Sequence, residues 1–482
     1  MKKIVSLILV LLMLACAVMP VGAAQQEDKV YDGDPVVVVR GIAFASLINR
    51  DGTAALKVEM GDIVPVLFES LLARFALKDK EAFGDAFCEV AYDILEPISC
   101  DKEGNSKYDI YMRQYNKSMA DHKSFANNLS NEAEHGLLKS AIARFGAENV
   151  YYFSYDWRKS PYELAQELKA LIETAKSDHN TDKVDIISAS MGCMVTSGYF
   201  YYCGTDSVDS SVFVSGAHNG TYSFGNGING DLILDSDVIL SYIYEMTQGD
   251  IFVNLILKVF DILGAVDYLV DFANDFIQTN YDKTNDRVLR DCLGTMPGFW
   301  AICPDECYDS GIQKIFAGHE QDYPVLLEKL AETRNYVFST EKILKDAVAN
   351  GVKQTFVSNY NSTLAPLYKD ADLNGDSVLE TVFTSNFATV AKLGETLGEE
   401  DIQGVPAEYI SADKVVNAST AVFPKTTWFV KDATHVATDY ASPYSDFVLT
   451  LLESETQPTV YTFSEYPRFM IRNADATLSP LK

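Results

Sequence analysis

The stretch Val184-Asp185-Ile186-Ile187-Ser188-Ala189-Ser190-Met191-Gly192 decides the fold. Val184 to Ile187 reads as a strand buried on both faces, and an apolar helical run begins near Cys193. Between them lies a small-x-Ser-x-Gly turn. A strand–turn–helix junction of this kind is a nucleophile elbow: it holds its Ser in a strained backbone conformation, where bulky neighbours would clash with the strand and the helix. Ser188 stands where Gly is usual but keeps the requirement for a small residue. Ser190 is therefore the candidate nucleophile. A plain helix N-cap would explain a Ser there, but not small residues on both sides of it.

Outward from this stretch, Pro35-Val36-Val37-Val38-Val39-Arg40-Gly41 is a second β-branched run, ending at a Gly that allows a tight exit loop. Similar signals recur at Val150–Phe153, Val184–Ile187, Ser211–Val214 and Gln354–Val357, with helical patterns between them. The clearest helix spans Tyr162 to Lys176, opened by Ser160-Pro161, with Leu164, Leu168, Leu171 and Ile172 along one stripe. Strand, helix, strand alternation predicts βαβ units, hence an α/β class with a doubly wound, mostly parallel sheet. Two stretches interrupt the alternation, at about 62–131 and 226–308. The second holds Phe252, Leu255, Ile256, Val259, Phe260 and Leu263 on an amphipathic face and is expected to form a cap or lid over the loop side of the sheet.

An acyl-accepting Ser needs oxyanion donors, commonly the N–H after the nucleophile and one from the loop after an early strand. Met191 is the first candidate, and Ile42 or Ala43, directly after Gly41, is the second. In this chain order the acid and then the base follow the nucleophile. Beyond Ser190 lie only His218, His319 and His435. His435, in a loop before the apolar helix Phe447–Leu452, is the expected base. His218 precedes any plausible acid and is expected to line the pocket or close a turn, and His319 to lie at the surface. The acid is less determined. Asp376 follows Asn374-Gly375, yet Asp370-x-Asp372-x-Asn374-Gly375-Asp376 also offers the oxygen ligands and Gly of a calcium loop, with Thr381 where a bidentate Glu belongs. Acid, calcium loop and plain turn all stay open, with Asp432 as a fallback acid.

Tyr155-Asp156-Trp157-Arg158-Lys159-Ser160-Pro161, followed by a helix, a strand and the Ser-Met-Gly elbow, resembles the lecithin:cholesterol acyltransferase family, which includes lysosomal-type phospholipases and acyltransferases. The likeness runs in order through Val36–Ile42, Tyr155–Pro161, Ser188–Gly192, Gly375-Asp376 and His435. Departures are Arg40 before Gly41, Ser188, and the stretch after Asp376. The resemblance implies an α/β-hydrolase fold and a Ser190–Asp376–His435 triad with no cofactor or metal. It also implies a phospholipid or other acyl-lipid substrate, met at a membrane or micelle surface. Gly41, Ala43, Trp157 and His218 are expected to border the substrate. An esterase of small or neutral esters is the alternative, and a catalytically inactive ligand-binding or surface module is the alternative from another class.

Composition sets the frame for these motifs. A formal net charge of -29 disfavours nucleic acid, whose phosphates are bound through Lys and Arg, and an apolar fraction of 48% supports a large core. Met1-Lys2-Lys3, the apolar run Ile4–Val18 and Val21-Gly22-Ala23-Ala24 read as a signal peptide over 1–24, so residues 25–482 are expected to form a single secreted domain. Lipid attachment at Cys16 fits the residues before it poorly. The remaining seven cysteines, with close pairs Cys88/Cys100 and Cys303/Cys307, favour local disulfides over zinc, because no His stands at zinc-site spacing.

Overall fold

The computed structural model describes residues 31–42, 47–56, 82–231, 284–364 and 373–482, with a few positions between 233 and 282. The expected signal segment with Cys16, Ala43, the Phe252–Leu263 stripe, and Asp370 and Asp372 lie outside the described residues.

The five apolar runs singled out in the sequence form strands of one sheet, and three strands near the C-terminus that the sequence did not signal extend it. In chain order the strands are β1 (Val36–Val39), β2 (Val150–Phe153), β3 (Val184–Ala189), β4 (Val208–Val214), β5 (Lys353–Tyr360), β6 (Thr427–Lys431), β7 (Phe469–Arg472) and β8 (Leu478–Pro480). The spatial order is β2-β1-β3-β4-β5-β6-β7-β8. Every neighbouring pair is parallel except β7–β8. The chain passes from β1 outward to β2 and returns to β3 on the other flank of β1, so the strand order reverses between β1 and β3. In open parallel sheets the crevice beyond the carboxyl ends at such a reversal is where ligands bind.

Both faces of the sheet are covered, which is why its strands are apolar at consecutive positions. Val37, Val39 and Ile186 pack into one layer with helices α2 (Pro161–His179), α3 (Met191–Cys203) and α7 (Thr340–Ala349). Val36, Val38, Ile187, Val212 and Val357 pack into the other with α1 (Ala133–Phe145) and α8 (Pro443–Leu452). This is the doubly wound α/β-hydrolase arrangement. Helix α2 begins where its sequence says it should: Ser160 Oγ accepts from the Glu163 N–H, Glu163 accepts from the Ser160 N–H, and Pro161 takes the first turn. Its stripe of Leu164, Leu168, Leu171 and Ile172 is buried and faces α3. Replacing the fully buried Leu168 by Ala would cost about 2–5 kcal/mol.

Helices α4 (Tyr222–Asn229), α5 (Asp305–Phe316) and α6 (Pro324–Val337) gather a smaller core of their own around Trp300, Tyr308, Phe316 and Leu326. α4 leaves the body eight residues after β4 ends, on the carboxyl side of the sheet. The seven described cysteines are all free thiols, which corrects the expectation of local disulfides. Cys88 Sγ lies against Thr284 Oγ1 at 3.3 Å, and the Cys303 thiol donates to the Pro304 carbonyl at 3.5 Å, so in each close pair at least one sulfur is turned to another neighbour.

Candidate active site

Ser190 sits between β3 and α3 with φ 54 and ψ −128, a combination that L-residues rarely adopt. Three backbone bonds hold it there. Its N–H donates to the Val214 carbonyl, and its own carbonyl accepts the N–H groups of Cys193 and Ala217, each at 3.0 Å. The small residues have visible reasons. A Cβ on Gly192 would lie 2.5 Å from the carbonyl oxygens of Val39 and Arg40, so α3 could not start this close to β1. A Cβ on Gly41 would lie 2.9 Å from Ser190 Cβ and 3.3 Å from its Oγ. The exit of β1 therefore abuts the nucleophile candidate, and Ile42 follows at once. Arg40 steadies that exit: its guanidinium pairs with Glu134 at 3.2 Å, and its carbonyl accepts the Tyr155 hydroxyl at 2.9 Å.

Asp376 and His435 meet. His435 Nδ1 donates to Asp376 Oδ2 at 2.8 Å, and the His435 N–H donates to the Asp376 carbonyl at 2.6 Å. The other carboxylate oxygen accepts the N–H groups of Val378 and Leu379 at 3.1 and 2.8 Å. Asp376 is wholly buried, and the His435 side chain is 13% exposed. With Nδ1 as the donor, Nε2 is left as the basic nitrogen of the ring. Asp432, the fallback acid, is exposed and accepts from Asn361 Nδ2 instead. Asn374 and Asp376, the described end of the possible calcium loop, are likewise engaged: Asn374 Oδ1 accepts the Asn361 N–H at 2.6 Å.

Ser190, Asp376 and His435 come from the exits of β3, β5 and β6, which share one edge of the sheet. Asn359, at the end of β5, ties these exits together, because its Nδ2 donates to Ser215 Oγ beyond β4 and to the Thr434 carbonyl beside His435. Its own oxygen accepts the Tyr444 hydroxyl at 2.7 Å. No sequence signal marks Asn359, since its partners lie 75 and 144 positions away.

Trp157 is 1% exposed and packs on Phe299, and Arg158 forms a two-pronged pair with Asp156 at 2.8 and 2.6 Å. Arg158 also donates to the Ile98 carbonyl and Ser106 Oγ. The Tyr-Asp-Trp-Arg stretch thus braces the β1 exit, the 98–106 segment and the 297–300 turn. His218 is buried between Phe213 and Phe356, with Nε2 bonded to Asn386 Oδ1 at 2.9 Å. Burial pushes its pKa down to about 4, so it is neutral at ordinary pH. His319 lies at the surface beside Asp322.

Among the described residues, Asp34, Asp185 and Asp209 form a group of carboxylates that could approach one cation. They stand at the opposite, amino edge of β1, β3 and β4, where Lys353 pairs with Asp209 at 2.8 Å and Thr181 donates to Asp34 at 2.8 Å. Burial, helped by Asp209 and Asp34, raises the Asp185 pKa to about 8, which removes its charge near neutrality.

A search of curated proteins finds no match. Among solved structures, the crystal structure of the Tle4–Tli4 complex matches at 16% identity with a TM-score of 0.20, over 41% of this chain. The match spans 48% of that chain, about half its length. The model of the family Lecithin:cholesterol acyltransferase matches residues 138–216, a segment that runs from α1 through the Tyr-Asp-Trp-Arg brace and the elbow to the end of β4. The part of the chain that holds Ser190 is therefore lecithin:cholesterol acyltransferase-like.

Proposed function

We propose that this chain is a serine-nucleophile enzyme that transfers or hydrolyses the acyl groups of lipid esters. The observation that carries the reading is the oriented Asp376–His435 pair on the sheet edge that also bears Ser190 in a strained elbow. His435 Nε2 takes the Ser190 hydroxyl proton as Oγ attacks the ester carbonyl. Asp376 holds the ring tautomer and stabilises the imidazolium, and the N–H groups of Met191 and Ile42 receive the oxyanion. His435 then gives the proton to the departing alkoxide, leaving an acyl-Ser190. Water or an acceptor alcohol, deprotonated by His435, attacks the acyl carbonyl; the bond from the acyl carbon to Ser190 Oγ breaks, and the His435 imidazolium returns the proton to Oγ. No step draws on a cofactor.

The lipid class rests on the family match over residues 138–216 and on the helical layer α4–α6 on the carboxyl side. Export, with residues 1–24 removed, belongs to the same proposal, as does contact with a lipid surface. Fluorophosphonate labelling with peptide mapping tests the chemistry: one adduct on Ser190, absent from Ser190→Ala, is expected. No adduct, even with micelles present, would make the chain a binding module. Comparing phosphatidylcholine vesicles with short soluble esters tests the substrate, and turnover of the soluble esters alone would leave a small-ester esterase.

A further inference from the structure

We propose that Glu380 is a positioning residue that joins helix α4 to the loop of Asp376, so that the seat of α4 and the orientation of the Asp376–His435 pair are set together. This rests on the serine-nucleophile reading above.

Glu380 closes the turn that encloses Asp376. Its backbone bridges to Gly375, and the Asp376 N–H donates to the Leu379 carbonyl at 3.0 Å within the same turn. Its side chain, 0% exposed, points the other way. Oε1 accepts the N–H of Tyr222, the first residue of α4, at 3.0 Å, with Thr221 Oγ1 at 3.5 Å. A carboxyl group at a helix N-terminus satisfies an N–H that has no partner within the helix and meets the positive end of the helix dipole. Its second oxygen, Oε2, is buried without a hydrogen-bond partner. A carboxyl is thus a costly residue here, and an apolar side chain of like size would fill the space without that cost but could not hold α4. Burial, with the nearby Asp376 adding to it, raises its pKa to about 7. The other ionisable groups that feel its charge are Tyr222 on α4 and Cys307 on α5.

The connection reaches the reacting groups from both sides. Ala217 N–H donates to the Ser190 carbonyl, and Gly220 N–H donates to the Ala217 carbonyl, so the loop that launches α4 is pinned to the elbow. From Glu380 the path runs through the Asp376 turn to His435, which Asp376 holds by both side chain and carbonyl. Three further bonds, His218 Nε2 with Asn386 Oδ1 and Asn219 Nδ2 to both the Phe383 carbonyl and Asn386 Oδ1, tie the same two loops farther along. Among the described residues, it is the Glu380 carboxyl that takes the first N–H of α4 itself. Movement of α4 therefore pulls on the turn that aims the acid.

The test uses the full chain, with active Ser190 counted by fluorophosphonate titration and turnover of a short-chain nitrophenyl ester expressed per titrated Ser190. Glu380→Ala is expected to lower kcat about tenfold or more, the scale of a sub-ångström misplacement, with KM changed by less than about threefold. Glu380→Gln keeps an acceptor for the Tyr222 N–H and is expected to stay within about threefold of the parent. A purely structural role would lower the titratable fraction and leave kcat per titrated site alone. The proposal is overturned if Glu380→Ala retains its kcat, or if Glu380→Gln falls as far as Glu380→Ala. If the parent chain shows no titratable Ser190, the serine reading fails first and takes this one with it. Should Glu380→Ala not fold, Tyr222→Pro removes the donor instead, at a first helical position that tolerates proline. Because that change also deletes the ring packed on Phe383 and the hydroxyl bonded to Glu306, Tyr222→Ala, which loses both but keeps the N–H, is its control. A kcat loss confined to the proline variant supports the joint, and equal kcat in the two overturns it.

Discussion

Gly41→Ala isolates the contact between the β1 exit and the elbow. Gly41 does not occupy the left-handed φ region, so Ala meets no conformational barrier there and the effect is one of space alone. The added Cβ would stand 2.9 Å from Ser190 Cβ. Carbon atoms settle at about 3.5–4.0 Å, so the two backbones must part by roughly 0.6–1 Å. The elbow is held from behind by the Ser190 N–H on the Val214 carbonyl and by the Ser190 carbonyl on the N–H groups of Cys193 and Ala217, so the 41–42 loop is the part expected to move, and the Ile42 N–H with it. Misplacement by about 1 Å costs on the order of 10²-fold in rate, and complete loss of an oxyanion donor about 10²–10³-fold. We expect kcat per titrated Ser190 to fall about 10- to 100-fold with KM little changed. Overpacking of about 1–3 kcal/mol, offset by about 0.4–1 kcal/mol from a stiffer unfolded chain, leaves a modest loss of stability. Stopped-flow ester hydrolysis with active-site titration, beside urea unfolding, separates the two effects. A titrated kcat within about twofold of the parent would refute the placement of Ile42 in the oxyanion site.

Three further outcomes follow from the same geometry. Asp376→Asn puts an amide where His435 Nδ1 needs an acceptor, and kcat should drop about 10³–10⁴-fold with fluorophosphonate labelling slowed in parallel; unchanged labelling would remove Asp376 from the triad. Arg158→Met leaves the buried Asp156 uncompensated and should cost about 3–5 kcal/mol in urea unfolding, part of it regained in Asp156→Asn/Arg158→Met; equal losses in the single and double variants would contradict this. Asp185 and Glu380 have pKa values raised to about 8 and about 7, so the folded chain keeps protons that the unfolded chain releases and stability falls as pH rises toward 8. His218, depressed to about 4, acts in the opposite sense, but only below the unfolded His value of about 6.5. Between about pH 6.5 and 8 the decline should therefore stand alone, at about 1–2 kcal/mol from Asp185, and Asp185→Asn should remove that share; a flat profile in the parent chain would refute the buried, protonated state.

Much of the scaffold is legible in the chain because it is encoded over short distances. The β-branched runs at 36–39, 150–153 and 184–189 can satisfy their apolar side chains only between two covered faces, and the structure buries them so. Ser160-Pro161 with Glu163 starts α2 by local bonds alone. The small residues around Ser190 report a close approach of backbones, which is why Gly41 and Gly192 could be singled out before their neighbours were known. The thiols show the limit of the same reasoning: spacing in sequence placed Cys303 near Cys307, but helix α5 and its surroundings decided where each sulfur points.

What tertiary structure alone decided is which distant groups meet. Asp376 and His435 are 59 positions apart, and nothing local chooses Asp376 over Asp432 as the partner; the pairing of Ser362-Thr363 with Asn374-Gly375 folds the chain beyond β5 back so that Asp376 meets His435, while Asp432 is engaged by Asn361. Glu380, Asn359 and Asn386 look like ordinary polar loop residues in the chain. Their burial and partners arise only when the exits of β4, β5 and β6 converge with the start of α4. Periodicity and turn chemistry act over a few residues and so leave a mark in sequence, whereas a hydrogen bond between loops is a product of packing and leaves none.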